Sequence, residues 1–245
     1  MTYCVGMMLD AGMVFLSDSR TNAGVDHIST FRKANIFERR GERIMVLMTA
    51  GNLAITQALV SMLREAMTAP DGRPSLWSVP NLFEAARHVG ETLREVHRRD
   101  GAALHDFGIE FSASMVLGGQ IRGEPPRLFS IYAAGNFIEA TAETRYFQIG
   151  ESKYGKPIID RVLRNDTSLE EAAKCALISM DSTIRSNLSV GPPFDLCVLR
   201  TDELRLARHA HIDVRDPYYA MIRSRWGDAL RAAFDELPNP SDLLS

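Results

Sequence analysis

Hydrophobic period changes five times along this sequence, and the order of those changes leaves few architectures open. Alternating apolar runs at 2–9 and 13–17, then at 34–38 and 43–50, predict two hairpins separated by a polar loop over 18–33. Helical spacing follows at 53–67, with Ile55, Leu59, Met62 and Leu63 on one face, and again at about 80–99. Short β-rich runs then occupy 111–118, 127–134, 137–141 and 145–149, broken by Gly118-Gly119, Pro125-Pro126 and Gly135-Asn136. Two further helices are predicted over 152–164 and 168–185, the second opened by a Ser168–Glu171 capping box. Strands at 194–200 and 203–209 and a helix over 217–236 complete the pattern, leaving 236–245 as a loose tail. Strand runs alternating with helix pairs predict an α+β fold of two mainly antiparallel sheets, face to face, with helices outside. No linker divides the chain, so residues 1–245 are expected to form a single domain.

Composition narrows the function classes. With 45% hydrophobic residues in 245, the chain can bury a substantial core. A net charge of −3 argues against nucleic-acid or membrane-surface binding driven by bulk charge. No apolar run approaches the roughly 18–20 residues needed to span a bilayer, and no basic region opens the chain as in a signal peptide. Cys4, Cys175 and Cys197 are too few and scattered for a disulfide framework or zinc site. A soluble, cytoplasmic protein is therefore expected.

The first thirty-three residues carry the chemistry. Thr2 follows the initiator Met directly, and removal of Met1 would place a hydroxyl and a free α-amine on one residue, a nucleophile with its own general base. That amine titrates near about 7.7–8, so a modest downward shift suits it to proton transfer. A neighbouring Lys supplies the shift by like-charge repulsion, and an Asp can hold that Lys in place. Asp18 comes sixteen residues after Thr2, across the Asp10-Ala11-Gly12 turn, so hairpin geometry returns it to the chain start. Lys33 opens the next strand. Singly, each has an ordinary reading: an exposed terminus, a turn cap, a solvated lysine. Only their joint pattern points to catalysis.

Thr2 with the strand Tyr3-Cys4-Val5-Gly6-Met7, Ser17-Asp18-Ser19-Arg20, Phe31-Arg32-Lys33 and Ala50-Gly51 together resemble the proteasome β-type subunits, and among them the bacterial homologues called Anbu. The resemblance implies a four-layer αββα sandwich of the N-terminal-nucleophile hydrolase type and a threonine peptidase acting on peptide or unfolded protein. It implies no metal and no organic cofactor, a homo-oligomer of ring-like or helical-ring form, and raises an unfoldase partner without identifying one. Gly51 matches the family's oxyanion donor, although a strand-to-helix turn would also place a glycine there. The family's supporting G-S-G turn reads Gly150-Glu151-Ser152 here, so Glu151 or Ser152 could fill that role. Its late Asp is matched by Asp181, with the following Ser missing or displaced to Ser186. The pocket positions match Thr21, Phe31, Asn35 and Thr49. None is charged, so uncharged side chains are expected at the cleaved bond and acidic ones disfavoured, with no cation but the occupied Lys33 to meet them. Loss of Lys33 is expected to lower activity far more than stability.

Other constellations point elsewhere. Cys4 shares a strand face with Thr2 but has no free amine and reads as a small core residue. His209 and His211 share a face without a carboxylate or Cys at ligand spacing, so metal binding is not expected. The glycines show no phosphate-loop spacing. A non-catalytic ring subunit and a small-molecule amidase on the same fold are the rival readings.

Overall fold

The structure, a computed structural model, describes residues 1–22 and 28–240. The 23–27 part of the polar loop and the last five residues of the expected tail lie outside the described residues. Strands β1 (Tyr3–Leu9) and β2 (Gly12–Asp18) form the first hairpin, with Cys4 opposite Ser17 and Leu9 opposite Gly12. A short ribbon follows, β3 (Arg20–Asn22) with β4 (Ile28–Thr30), where hydrophobicity predicted only loop. Its residues are polar apart from Ile28, so no alternation reveals it. Next come β5 (Ala34–Arg39), β6 (Arg43–Gly51), α1 (Leu53–Thr68) and α2 (Leu82–Asp106). The second half of the chain holds β7 (Ala113–Ile121), β8 (Arg127–Ile131), β9 (Phe137–Glu139) and β10 (Tyr146–Gly150). Helices α3 (Ser152–Val162) and α4 (Leu169–Ser186), strands β11 (Phe194–Arg200) and β12 (Leu206–Ile212), and α5 (Pro217–Glu236) complete it.

Two five-stranded antiparallel sheets result, ordered β10-β1-β2-β11-β12 and β5-β6-β7-β8-β9. Each strand's two faces enter different clusters. Cys4, Met13, Phe15 and Cys197 of the first sheet meet Ile44, Val46, Met48, Val116 and Leu128 of the second between the sheets. Outside, Val5, Met7, Val14 and Leu16 pack on α3, α4 and α5, and Met45, Leu47 and Leu117 pack on α1 and α2. Burying each such large side chain contributes about 1.5–3 kcal/mol, so the layers are fixed by hydrophobic area on both faces of both sheets.

Several boundaries differ from expectation: β7 starts at Ala113 and β8 and β9 end at Ile131 and Glu139, short of 134 and 141, and three further differences have a local cause. Gly118-Gly119 does not break β7; a Cβ on Gly118 would sit 2.7 Å from Met13 and Leu128 side chains, so the small residue lets the sheets close. Helix α2 continues seven residues past Arg99 through Gly101, where little is buried and the apolar period is faint. Strand β12 begins three residues later than predicted, because Asp202 and Leu204 take left-handed backbone (φ 66° and 46°) in the turn before it. The Ser168–Glu171 capping box forms as predicted. No helix among the described residues is long and apolar enough to cross a membrane.

Candidate active site

Hairpin register decides where Thr2 lies. Strand β1 is flanked by β2 and β10, and Tyr3 pairs with Gly150. The Glu151 amide then donates to the Thr2 carbonyl at 2.8 Å. Gly150 has φ +81°, and a Cβ there would stand 1.9 Å from the Thr2 carbonyl oxygen, so only glycine lets β10 close over the residue. Behind it, the Tyr3 hydroxyl meets Ser179 Oγ and accepts from Gln148 Nε2, both at 2.5 Å, anchoring β1 to α4 and β10.

Asp18 ends β2 fully buried, and its Oδ1 accepts from the Tyr3 amide at 3.1 Å and from Lys33 Nζ at 2.7 Å. Lys33, only 5% exposed, also donates to the Arg20 carbonyl at 2.7 Å. Two of its three N–H bonds are therefore fixed. Burial pushes the Asp18 carboxyl above its ordinary range, against the pull of Lys33 and the Tyr3 amide. Thr2, Lys33 and Gly51 line one cleft of about 880 Å³, with Asp18 behind Lys33. Thr2, Asp18 and Lys33, picked from spacing, and Gly51, matched through the resemblance, thus come together. Met1 stands in the same cleft, 61% exposed, with its carbonyl bonded to the Thr2 nitrogen.

An Anbu (ancestral beta-subunit) structure from Yersinia bercovieri is 54% identical, covers 97% of this chain and 98% of its own, and superposes with a TM-score of 0.91. The chain belongs to the Anbu family. The helical assembly of the Anbu complex from Pseudomonas aeruginosa is similar to this Anbu chain at 50% identity and TM-score 0.92, covering 98% of each. A proteasome subunit beta from Haloquadratum walsbyi is 25% identical over 210 residues, which is 85% of this chain and 77% of that protein. No protein-family model matches. The fold is accordingly the α+β architecture of proteasome-type, N-terminal-nucleophile proteins.

Other assignments fare differently in this Anbu chain. Thr21, Asn35 and Thr49 line the cleft, but Phe31 does not; it is 38% exposed and is tied through its amide to the Ser19 carbonyl. Asp181 is not at the site. It lies on the α4 face toward α5, within ion-pair reach of Arg185 and Arg223 and 3.4 Å from the Tyr219 hydroxyl, where it holds the last helix down. Glu151 lines the cleft whereas Ser152, the first residue of α3, does not.

The sequence reading also missed two cations. Arg32 and Arg64 both line the cleft, so the premise that Lys33 is the only cation facing a substrate is wrong. Arg64 continues the stripe Thr56, Val60, Arg64 along α1, a four-residue spacing that was legible but lay off the apolar face used to identify the helix. The histidine pair has a carboxylate after all: β11–β12 pairing sets Asp195 opposite His211, and its Oδ1 lies 3.2 Å from His209 Nε2 and 3.3 Å from His211 Nδ1. Among the described residues no group of three or more such side chains is arranged to hold a metal ion.

Cys4 is fully buried between the sheets and takes no part in the cleft. Burial pushes its thiol up strongly, and lifts Cys175 to about 11 and Cys197 to about 12. A thiol reagent at neutral pH is expected to modify none of the three in the folded protein and all three after denaturation. Fast labelling of native Cys4 would restore it as a rival nucleophile.

Proposed function

We propose that this Anbu chain, acting as one cytoplasmic domain within an assembly of identical subunits, is a threonine peptidase once Met1 is removed. The observation that carries this reading is the buried Lys33–Asp18 pair beside Thr2, at 2.7 Å, in an open cleft. Without Met1, the Thr2 nitrogen becomes an α-amine next to the Lys33 ammonium, whose positive charge favours the neutral, basic form. The amine takes the hydroxyl proton as Oγ attacks a peptide carbonyl, and returns it to the leaving amine. Gly51 donates its backbone N–H to the oxyanion. Water then hydrolyses the ester by the same proton route. A helical arrangement is supported by the Pseudomonas aeruginosa relative, described as a helical assembly of the Anbu complex.

Intact mass and an epoxyketone, which bridges hydroxyl and amine, test this together. Loss of one Met and a single adduct on Thr2, absent in Thr2→Ala, are expected. An adduct that survives in Thr2→Ala, or none on Met-free assembled protein, would reject the assignment.

A further inference from the structure

We infer that Arg64 forms a carboxylate-binding subsite, so that the cleft takes a peptide with Asp or Glu at the cleaved bond. The inference rests on the peptidase reading and names its substrate class. Asn35 lies two residues beyond Lys33 on β5, about 7 Å along the strand. Its amide is held at both ends: Nδ2 donates to the Lys33 carbonyl at 3.4 Å, and Oδ1 accepts from Arg64 Nη2 at 3.3 Å. The Arg64 guanidinium also lies over the Phe37 ring, 5.5 Å from its centroid. The cation is therefore oriented by two neighbours instead of swinging free.

Its remaining N–H donors have no protein acceptor among the described residues, and no carboxylate pairs with it there. A guanidinium with its fork unfilled, in a cleft that also holds the Thr2 nucleophile, matches a planar carboxylate. Charge balance agrees. Among the described lining residues, Lys33 is neutralised by Asp18, leaving Arg32 and Arg64 against the one carboxylate of Glu151. An uncharged side chain would leave the guanidinium of Arg64 without a counter-charge, whereas a carboxylate beside Asn35, two residues from Lys33, would complete it. The uncharged preference read from Thr21, Phe31, Asn35 and Thr49 is thereby reversed by a residue from the facing helix.

Peptide binding to Met1-free Thr2→Ala protein tests the subsite without needing turnover. Acetyl-Ala-Ala-Glu-amide and its Gln counterpart differ in one charge, and the amide end removes the other carboxylate a peptide carries. The Glu peptide is expected to bind about 10-fold or more tightly. Arg64→Gln should erase that difference, and Arg64→Glu should invert it toward a Lys peptide, with melting temperatures confirming that both variants fold. Equal binding of the Glu and Gln peptides, a preference that persists in Arg64→Gln, or no binding by any peptide would each overturn the subsite. Epoxyketone labelling of Thr2 in the parent protein, measured in parallel, reports separately on the nucleophile.

Discussion

Lys33→Ala is expected to cut the rate of epoxyketone labelling at Thr2 by about a thousandfold or more while also destabilising the fold by about 3–5 kcal/mol. Only about tenfold of the first effect can come from the terminal amine, which titrates near about 7.7–8 unaided and so is already partly neutral at pH 7; the rest comes from losing the ammonium's stabilisation of negative charge developing on the Thr2 hydroxyl. The second corrects the view that Lys33 matters to activity far more than to stability. Asp18 is completely buried, and its Oδ2 has no partner among the described residues. Removing the lysine therefore leaves a buried carboxylate with only backbone amides, of Tyr3 and Gly191, to compensate it. The two effects separate in a pair of variants. Adding Asp18→Asn to Lys33→Met removes both charges and keeps an acceptor for the Tyr3 amide. It should recover most of the stability in denaturant titration and none of the labelling. Lys33→Arg should also fail, because a longer planar fork must enter a site that is 5% exposed and already shaped by two 2.7 Å contacts. Labelling of Lys33→Ala within about tenfold of the parent would leave Lys33 no role beyond tuning the amine.

Gly51→Ala is expected to reduce labelling by about 10²–10³, the size of one oxyanion donor, with about 1–3 kcal/mol of destabilisation. Gly51 has φ +110°, and a Cβ built on it lies 2.3 Å from the Ser112 carbonyl oxygen. That oxygen already accepts from the Asn52 amide at 2.8 Å, and Asn52 caps α1 through the Ala54 amide at 2.9 Å. Relief of the clash must move the end of β6 and the start of α1 together, carrying the Gly51 N–H out of line with Thr2. Alanine at Gly72, also at positive φ but with open space around its Cβ, is the control for backbone strain alone and should leave labelling unchanged. Retention of the full rate in Gly51→Ala would remove the backbone donor from the mechanism.

The amino-acid sequence by itself determined the layers and the heart of the site. Period changes predicted strands and helices because both sheets bury both faces, and that burial writes itself into apolar spacing. Thr2 and Asp18 were legible because one tight hairpin joins them, and local geometry fixes their register. Tertiary structure alone decided what converges from distant segments. Asp181 matched by order along the chain, yet helix packing turns it toward α5. Asp195 meets two histidines only through strand pairing. Arg64 lies thirty-one residues from Lys33 and enters the cleft because α1 packs on β6, beside β5, so that its guanidinium reaches Asn35. A side chain's neighbours across a packed interface depend on rotation and register summed over several elements, and no short-range spacing encodes that sum.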